Sequence, residues 1–239
     1  NTDMYAQAYF AYDSKKSGGI TTSHLRFGDN PIRSPYLVVT PDFVACSVPS
    51  YLEKYNMLKG LKDGGTFLLN SIWSEEDTIQ HLPNRVKRYM AQHHINFYII
   101  NATKLAQEIG LGNRTNTIMQ SAFFKIADII PYDQAVEEMR KFIIKSFGRK
   151  GEEVVNMNFA AVEKGGAVTK IEVSADWAKL GDVAKKDDRV GVPDFVKNVV
   201  EPINNLAGDD LPVSAFAGRE DGTFPAGTSQ YEKRGIAVN

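Results

Sequence analysis

The sequence predicts an α/β fold: a doubly wound, mostly parallel sheet with helices on both faces, followed by a C-terminal helical segment and an irregular extended tail. Three observations carry the prediction. Up to Ile100, short apolar runs of strand length alternate with stretches of helical periodicity. Beyond Asn101, apolar residues recur at helical spacing only. From about Ser174 the periodicity fades and Gly, Pro and polar residues take over.

The elements follow in order. Residues 5–12 and 20–27 read as two extended runs on either side of a polar hinge, Asp13-Ser14-Lys15-Lys16-Ser17-Gly18-Gly19. Shorter buried strands are expected at 36–39 or 43–46 (the two forming one broken element), at 66–69 and at 97–100, each rich in β-branched or aromatic residues and bounded by Pro, Gly, Asp or Asn. A helix over 50–61 stops at Asp63-Gly64-Gly65. Ser74 reads as an N-cap, with Asp77 at the third helical position. A helix over 83–94 carries Val86, Tyr89 and Met90 on one face. Ile118, Met119, Ala122, Phe123, Ile126, Ala127 and Ile130 form a stripe broad enough to demand burial. Pro131 interrupts it, and Val136, Met139, Ile143 and Phe147 repeat at helical spacing up to Gly148. A further helix over 152–163 turns Val155, Phe159 and Val162 inward. These stripes are core and carry no chemistry. The run Lys185-Lys186-Asp187-Asp188-Arg189 reads as solvated, and 193–203 as one short helix. A structureless tail of this length suits a strap over a neighbouring domain, or one left stranded by excision.

Composition bounds the function. The chain has 239 residues, 43% hydrophobic and 24% charged, which suits a soluble globular protein with a sizeable core. Its net charge of −1 gives no basic field for nucleic acid. No apolar run approaches the roughly 20 residues of a membrane span, and no signal peptide opens the chain. The start at Asn1-Thr2-Asp3, without an initiator Met, fits a processed chain or an excised fragment. A single cysteine, Cys46, excludes an internal disulfide, a cysteine-built zinc site and a four-cysteine iron–sulfur site. The expected compartment is a reducing cytoplasm.

Two loops are candidates for ligand contact. Lys15, Lys16 and Ser17, beside two glycines, set cationic and hydroxyl donors where backbone can approach a phosphate; a solvated turn is the alternative. Arg114 lies in Asn113-Arg114-Thr115-Asn116, with Asn116 read as the N-cap of the buried helix, where a helix N-terminus favours an anion. Arg114 can grip a phosphate bidentately or stack on an adenine; the alternative is a capped helix with a solvated arginine. His24 reads as a structural histidine bonding a neighbouring loop, and His93-His94 as an adjacent pair whose rings point apart. Arg26 and Arg33 are candidates for ion pairs to other domains. Cys46 ends a buried strand and reads as a small hydrophobe. No catalytic residue and no metal ligand is assigned. A stand-alone dinucleotide oxidoreductase has little support, since no G-x-G-x-x-G follows a strand.

Long literal strings identify a family. YAQAYFAYDSKKSGGITTSHLRFG at 5–28 resembles the gamma region of pyruvate:ferredoxin (flavodoxin) oxidoreductases, as do GGTFLLN at 64–70, residues 116–124, KGEEVVNMN at 150–158, LPVSAF at 211–216 and DGTFP at 221–225. The resemblance covers nearly the whole chain and is weakest over 171–190. It implies an enzyme that oxidatively decarboxylates pyruvate on thiamine diphosphate, passes electrons through [4Fe-4S] clusters to ferredoxin or flavodoxin, and delivers acetyl to coenzyme A. It further implies that 1–173 form a coenzyme A-binding gamma domain without its first βα unit and glycine-rich loop, and that 174–239 link to an absent ferredoxin-like domain. Coenzyme A then contacts Lys15, Lys16, Ser17, Arg114 and Asn116. Thiamine diphosphate, magnesium and clusters lie in other domains of a homodimeric parent, and the region by itself is inert. The alternative is a scaffold module that only joins those domains.

Overall fold

The computed structural model describes residues 3–13, 19–182 and 190–231. They fall into two compact units. The first takes the described residues of Asn1–Ala8, Leu25–Glu53 and Met57–Val183; the second takes those of Tyr9–His24, Lys54–Asn56 and Ala184–Asn239.

Strands β1 (Tyr5–Tyr12) and β2 (Thr21–Gly28) pair with each other as a two-stranded sheet. The first unit is built on a separate four-stranded sheet, ordered β3 (Phe43–Cys46), β4 (Thr66–Asn70), β5 (Asn96–Ile100) and β6 (Thr169–Ile171). The first three strands run parallel; β6 runs antiparallel to β5. Alternation assigns the two faces. On one face Phe67, Leu69, Phe97 and Ile99 are buried, and the rings of Phe67 and Phe97 stack at 5.4 Å. Against this face pack α1 (Tyr51–Lys54), α2 (Glu75–His81) and α3 (Asn84–Gln92) through Leu52, Leu82, Val86 and Met90. On the other face Leu68 and Ile100 meet α4 (Ala102–Glu108), α5 (Asn116–Ala127) and α7 (Glu152–Gly165) through Ala102, Ala106, Ile118, Ala122 and Ala161. Helix α6 (Tyr132–Phe147), begun by Pro131, lays Met139 and Ile143 on Val162 of α7. The expected fold class stands: a mixed, mostly parallel sheet with helices on both sides.

Most helices match their sequence signals. Ser74 caps α2, its hydroxyl accepting from the Asp77 amide at 3.2 Å and donating to the Asp77 carboxylate at 2.8 Å. The stripe from Ile118 is buried as its width required.

One pair of alternatives is decided and three elements differ from expectation, each for a local reason. Of the two alternatives for the first core strand, Phe43–Cys46 pairs with β4, whereas Val39 is 74% exposed outside any strand. The helix expected over 50–61 is a single turn. Leu58 and Leu61 reach the core from a turn at Gly60, whose φ of 79° is left-handed and where a Cβ would collide with the Val39 carbonyl. Strand β6 was not anticipated, because three residues carry no measurable period; it inserts Ile171 into the core and sets Lys170 Nζ 3.0 Å from Asn96 Oδ1. The irregular segment after Ser174 begins with an ordered 3-10 turn, Ala175–Lys179, strapped onto α3. There Trp177 joins the core, Arg88 donates to both carboxylate oxygens of Asp182 (2.8 and 2.9 Å) and to Leu180 O (2.7 Å), and Asn84 donates to Gly181 O at 2.9 Å.

In the second unit, a wide π turn at Val196–Val200 runs into α8 (Glu201–Asn204), burying Val196 and Val199. Pro202 has no amide hydrogen to continue a regular ladder, and the chain widens just before it, with the Glu201 amide bonding Val196 O. Phe195 meets Phe224 edge-on at 5.3 Å and carries the Arg219 guanidinium over its ring at 4.8 Å. Among the described residues, no helix is long and apolar enough to cross a membrane.

Candidate functional site

The loop from α4 to α5 presents Arg114. Its amide bonds Leu111 O at 3.2 Å and anchors the turn, while its side chain is exposed and has no partner among the described residues. The helix begins one residue earlier than its sequence suggested. Thr115 occupies the cap position with helical dihedrals (φ −89°, ψ −9°) and makes no side-chain cap, so Asn116 is the first helical residue and not the N-cap. That frees the Asn116 carboxamide. It lines, with Thr117, Gln120 and the carboxylate-bearing Glu138, the polar side of a pocket of about 370 Å³ whose apolar wall includes Phe27, Phe124, Met139 and Phe142. Thr117 is held by its hydroxyl bond to Asn158 Oδ1 at 3.2 Å, and Asn158 in turn donates to Val154 O at 2.8 Å. Among the described residues, the start of α5 therefore offers first-turn helical amides, and a guanidinium and a carboxamide without side-chain partners, a set suited to a phosphate or other anion.

Lys15, Lys16 and Ser17 lie outside the described residues. Beside them, the Asp13 amide bonds Ile20 O at 3.0 Å.

A second polar cluster, which sequence reasoning passed over, sits at the C-terminal ends of β3, β4 and β5. In open α/β sheets this edge is where ligands approach. Here the donors serve the protein itself. Asn70, buried at the end of β4, donates to Ser47 O (3.0 Å) and Thr103 Oγ1 (3.1 Å) and accepts from the Ala102 amide (3.0 Å). The buried hydroxyls of Ser71 and Thr78 pair at 2.6 Å. Beside them a smaller pocket of about 240 Å³ is lined by Pro49, Leu69, Trp73, His81 and Leu82, with the Trp73 and His81 rings stacked at 4.2 Å. The available signal was positional: an asparagine closing a buried strand, followed by Ser71-Ile72-Trp73-Ser74.

The remaining candidates resolve as structure. His93 Nδ1 meets Asp63 Oδ1 at 2.6 Å and its ring stacks on Tyr89 at 4.1 Å, while His94 turns away with φ 52°. His24 is half-buried in β2 and engaged within the fold. Arg26 is engaged within the chain. It donates to Ser34 O (2.7 Å), Tyr36 O (3.0 Å) and Gln7, and lies 3.8 Å over the Tyr36 ring. Cys46 is fully buried and its thiol donates to Val48 O at 3.2 Å; burial pushes its pKa up to about 11, so it holds little thiolate at neutral pH. Among the described residues, no group of three His, Cys, Asp or Glu side chains could hold a metal ion.

Residues 1–168 match the family described as pyruvate ferredoxin/flavodoxin oxidoreductase. The chain belongs to this family. Residues 183–237 match a second family, described as a domain of unknown function. Along its whole length the chain is 56% identical to the pyruvate-flavodoxin oxidoreductase of Enterobacter agglomerans and 54% identical to the pyruvate:ferredoxin oxidoreductase of Moorella thermoacetica. It spans only 20% of the length of each of these two relatives. It is also 41% identical to the mitochondrial NADP(+) pyruvate dehydrogenase of Euglena gracilis, covering 13% of that protein. A crystal structure of pyruvate oxidoreductase subunit PORC from Thermotoga maritima shares the fold at a TM-score of 0.55 and 23% identity, over 71% of this chain and 83% of that one. The family read from the sequence strings is thereby shown, and so is the fold.

Proposed function

We propose that this chain is the coenzyme A-binding region of a pyruvate:ferredoxin or pyruvate:flavodoxin oxidoreductase, an enzyme that converts pyruvate and coenzyme A to acetyl-CoA and CO2 and passes two electrons to its acceptor. The observation that carries the reading is the 56% identity along the whole chain to a relative five times as long. Arg114, exposed at the start of α5 and without a side-chain partner among the described residues, supports coenzyme A as the ligand, because the diphosphate and 3′-phosphate favour charge-assisted donors at an open helix N-terminus. Lys15, Lys16 and Ser17 supply the second cationic loop, and Asn116 a neutral donor.

The iron–sulfur chemistry of such an enzyme does not fit this region. Its lone cysteine is buried and protonated, and the described residues contain no metal-ligand cluster. Thiamine diphosphate, magnesium and clusters fall to the rest of the polypeptide, as does the surface that meets ferredoxin or flavodoxin. This region's own contribution is to bind and orient a thiol substrate. The proposed setting is the cytoplasm.

Calorimetric titration of the full-length enzyme with coenzyme A and dephospho-coenzyme A tests the reading. Arg114→Ala, and Lys15→Ala with Lys16→Ala, are each expected to weaken coenzyme A about tenfold, the loss of one charge-assisted contact. Unchanged affinity with disturbed assembly would instead favour the scaffold role. The 239-residue chain by itself is expected to turn over no pyruvate.

A further inference from the structure

The pocket beside the start of α5 sorts ligands by charge. Among the described residues, no lysine, arginine or histidine lines it. Glu138 does, and its carboxylate accepts from Lys141 Nζ at 2.9 Å. A phosphate placed there would meet a carboxylate and no lining cation, so the anion belongs outside, on the loop that carries Arg114. The pocket itself suits an uncharged group. Four phenylalanines, Phe27, Phe124, Phe142 and Phe147, wall it, with Met4 and Met139 beside them. All of its lining residues belong to the first compact unit. Aromatic faces and thioethers favour a flat ring. At about 370 Å³ the pocket lies in the size range of ordinary small-molecule sites, roughly 300–1,000 Å³.

The direction of the hydrogen bond at Thr117 is fixed by its neighbours. Val154 O can only accept, so the Asn158 atom 2.8 Å from it is the amide nitrogen. The other arm of the same carboxamide is then the oxygen Oδ1, which also only accepts. The Thr117 hydroxyl gives its one hydrogen to that oxygen, at 3.2 Å. Thr117 Oγ1 keeps only lone pairs for anything in the pocket. Turning the hydroxyl round would leave a carbonyl oxygen unpaired on Asn158, which is 6% exposed. Thr117 therefore selects a ligand that brings its own donor.

We propose that this pocket holds the adenine of coenzyme A, and that Thr117, oriented by Asn158, accepts a hydrogen bond from the exocyclic amine of the base. The inference rests on the reading of this region as a coenzyme A site. Coenzyme A offers two ends. Its pantetheine arm is flexible, and its thiol has to reach chemistry that falls to the rest of the polypeptide, so that end stays free of a pocket walled by α5 and α6. Its adenine is flat, uncharged and tethered to the phosphates that Arg114 serves. The carboxamides of Asn116 and Gln120, which donate or accept, suit the ring nitrogens. Asn158 touches no ligand in this arrangement. It is a positioning residue that sets the base specificity of Thr117.

The test titrates adenosine 3′,5′-bisphosphate and inosine 3′,5′-bisphosphate into the full-length enzyme by calorimetry, each with and without coenzyme A as competitor. Hypoxanthine, the base of inosine, puts a carbonyl where adenine carries its amine. Wild type is expected to prefer the adenine compound by about tenfold, the loss of one hydrogen bond, and coenzyme A is expected to displace it. Thr117→Val should abolish the preference, and Thr117→Ser should keep it. Asn158→Leu frees the Thr117 hydroxyl to donate, so the two bases should bind equally while the discrimination against dephospho-coenzyme A stays intact. A merely structural role for Asn158 would weaken every ligand alike and overturn its part. Phe142, 65% exposed, can be removed without opening the core. Phe142→Ala should weaken the adenine compound roughly threefold to tenfold and leave phosphopantetheine unchanged. Equal binding of the two bases to wild type, or a preference that survives Thr117→Val, would overturn the proposal and leave the coenzyme A reading standing. So would a loss on Phe142→Ala confined to phosphopantetheine. Absence of any coenzyme A binding by the wild-type enzyme would end that reading and this one together.

Discussion

Asn70 ties three segments together with one carboxamide, and its cost of removal can be stated. Asn70→Ala leaves the Ala102 amide without its acceptor and deprives Ser47 O and Thr103 of a donor, all at a buried site. About 2–3 kcal/mol of stability should be lost, read as a lower urea midpoint at unchanged slope. Cys46 makes a pH-dependent prediction. Its thiol is held protonated to about 11 by burial, against an ordinary value of 9.0 in an exposed chain. Between those values the unfolded chain releases this proton and the folded chain keeps it, so the group's contribution is fully present below pH 9 and is lost as pH rises toward 11. Two units correspond to about 3 kcal/mol. Wild type should therefore lose more stability between about pH 8.5, just below the unfolded value, and about pH 10.5, just below the folded one, than Cys46→Ala does; parallel losses in the two proteins would refute the cause. The sequence read Cys46 as an inert hydrophobe because it ends an apolar run. Asn70 escaped notice because an asparagine at a strand end is an ordinary boundary residue, and its three partners are 23 to 33 positions away.

At the scale of elements, the close approach of α5 and α7 depends on Gly165. A Cβ there would lie 2.5 Å from both Ile118 O and Ser121 Cβ, and Ser121 already bonds Val162 O at 2.5 Å. Neither the backbone oxygen nor a β-carbon can swing aside, so Gly165→Ala should force the helices apart and cost about 1–3 kcal/mol. Calorimetry should show a fall of several degrees in Tm, at about 2–4 °C per kcal/mol for a chain of this size; an unchanged Tm would mean that the contact is looser than its geometry. The long helices were legible because each carries enough turns for a 3.6-residue period to register, and the Ser74 cap because its mechanism is local. The truncated α1 and the three-residue β6 were not. One is cut short at a left-handed Gly60 pressed against Val39, and the other exists only because β5 supplies its partner.

For the whole molecule, family membership and the α/β class emerged from strings and periods spread along the chain, and the relatives and the shared fold agree with both. The candidate site was half legible. Arg114 stands where its loop placed it, exposed before a buried helix, whereas the freeing of Asn116 followed from helical dihedrals that begin at Thr115. The pocket beside it draws on residues from Met4 to Phe147, a span no local pattern encodes. By itself the sequence determined which of the longer segments are helical or extended, which faces are apolar and which family the chain joins, because propensity, periodicity and literal identity are properties of neighbours along the chain. Tertiary structure alone decided the strand order, the antiparallel β6, the Asn70 junction and the walls of the pocket. Those depend on which distant segments meet.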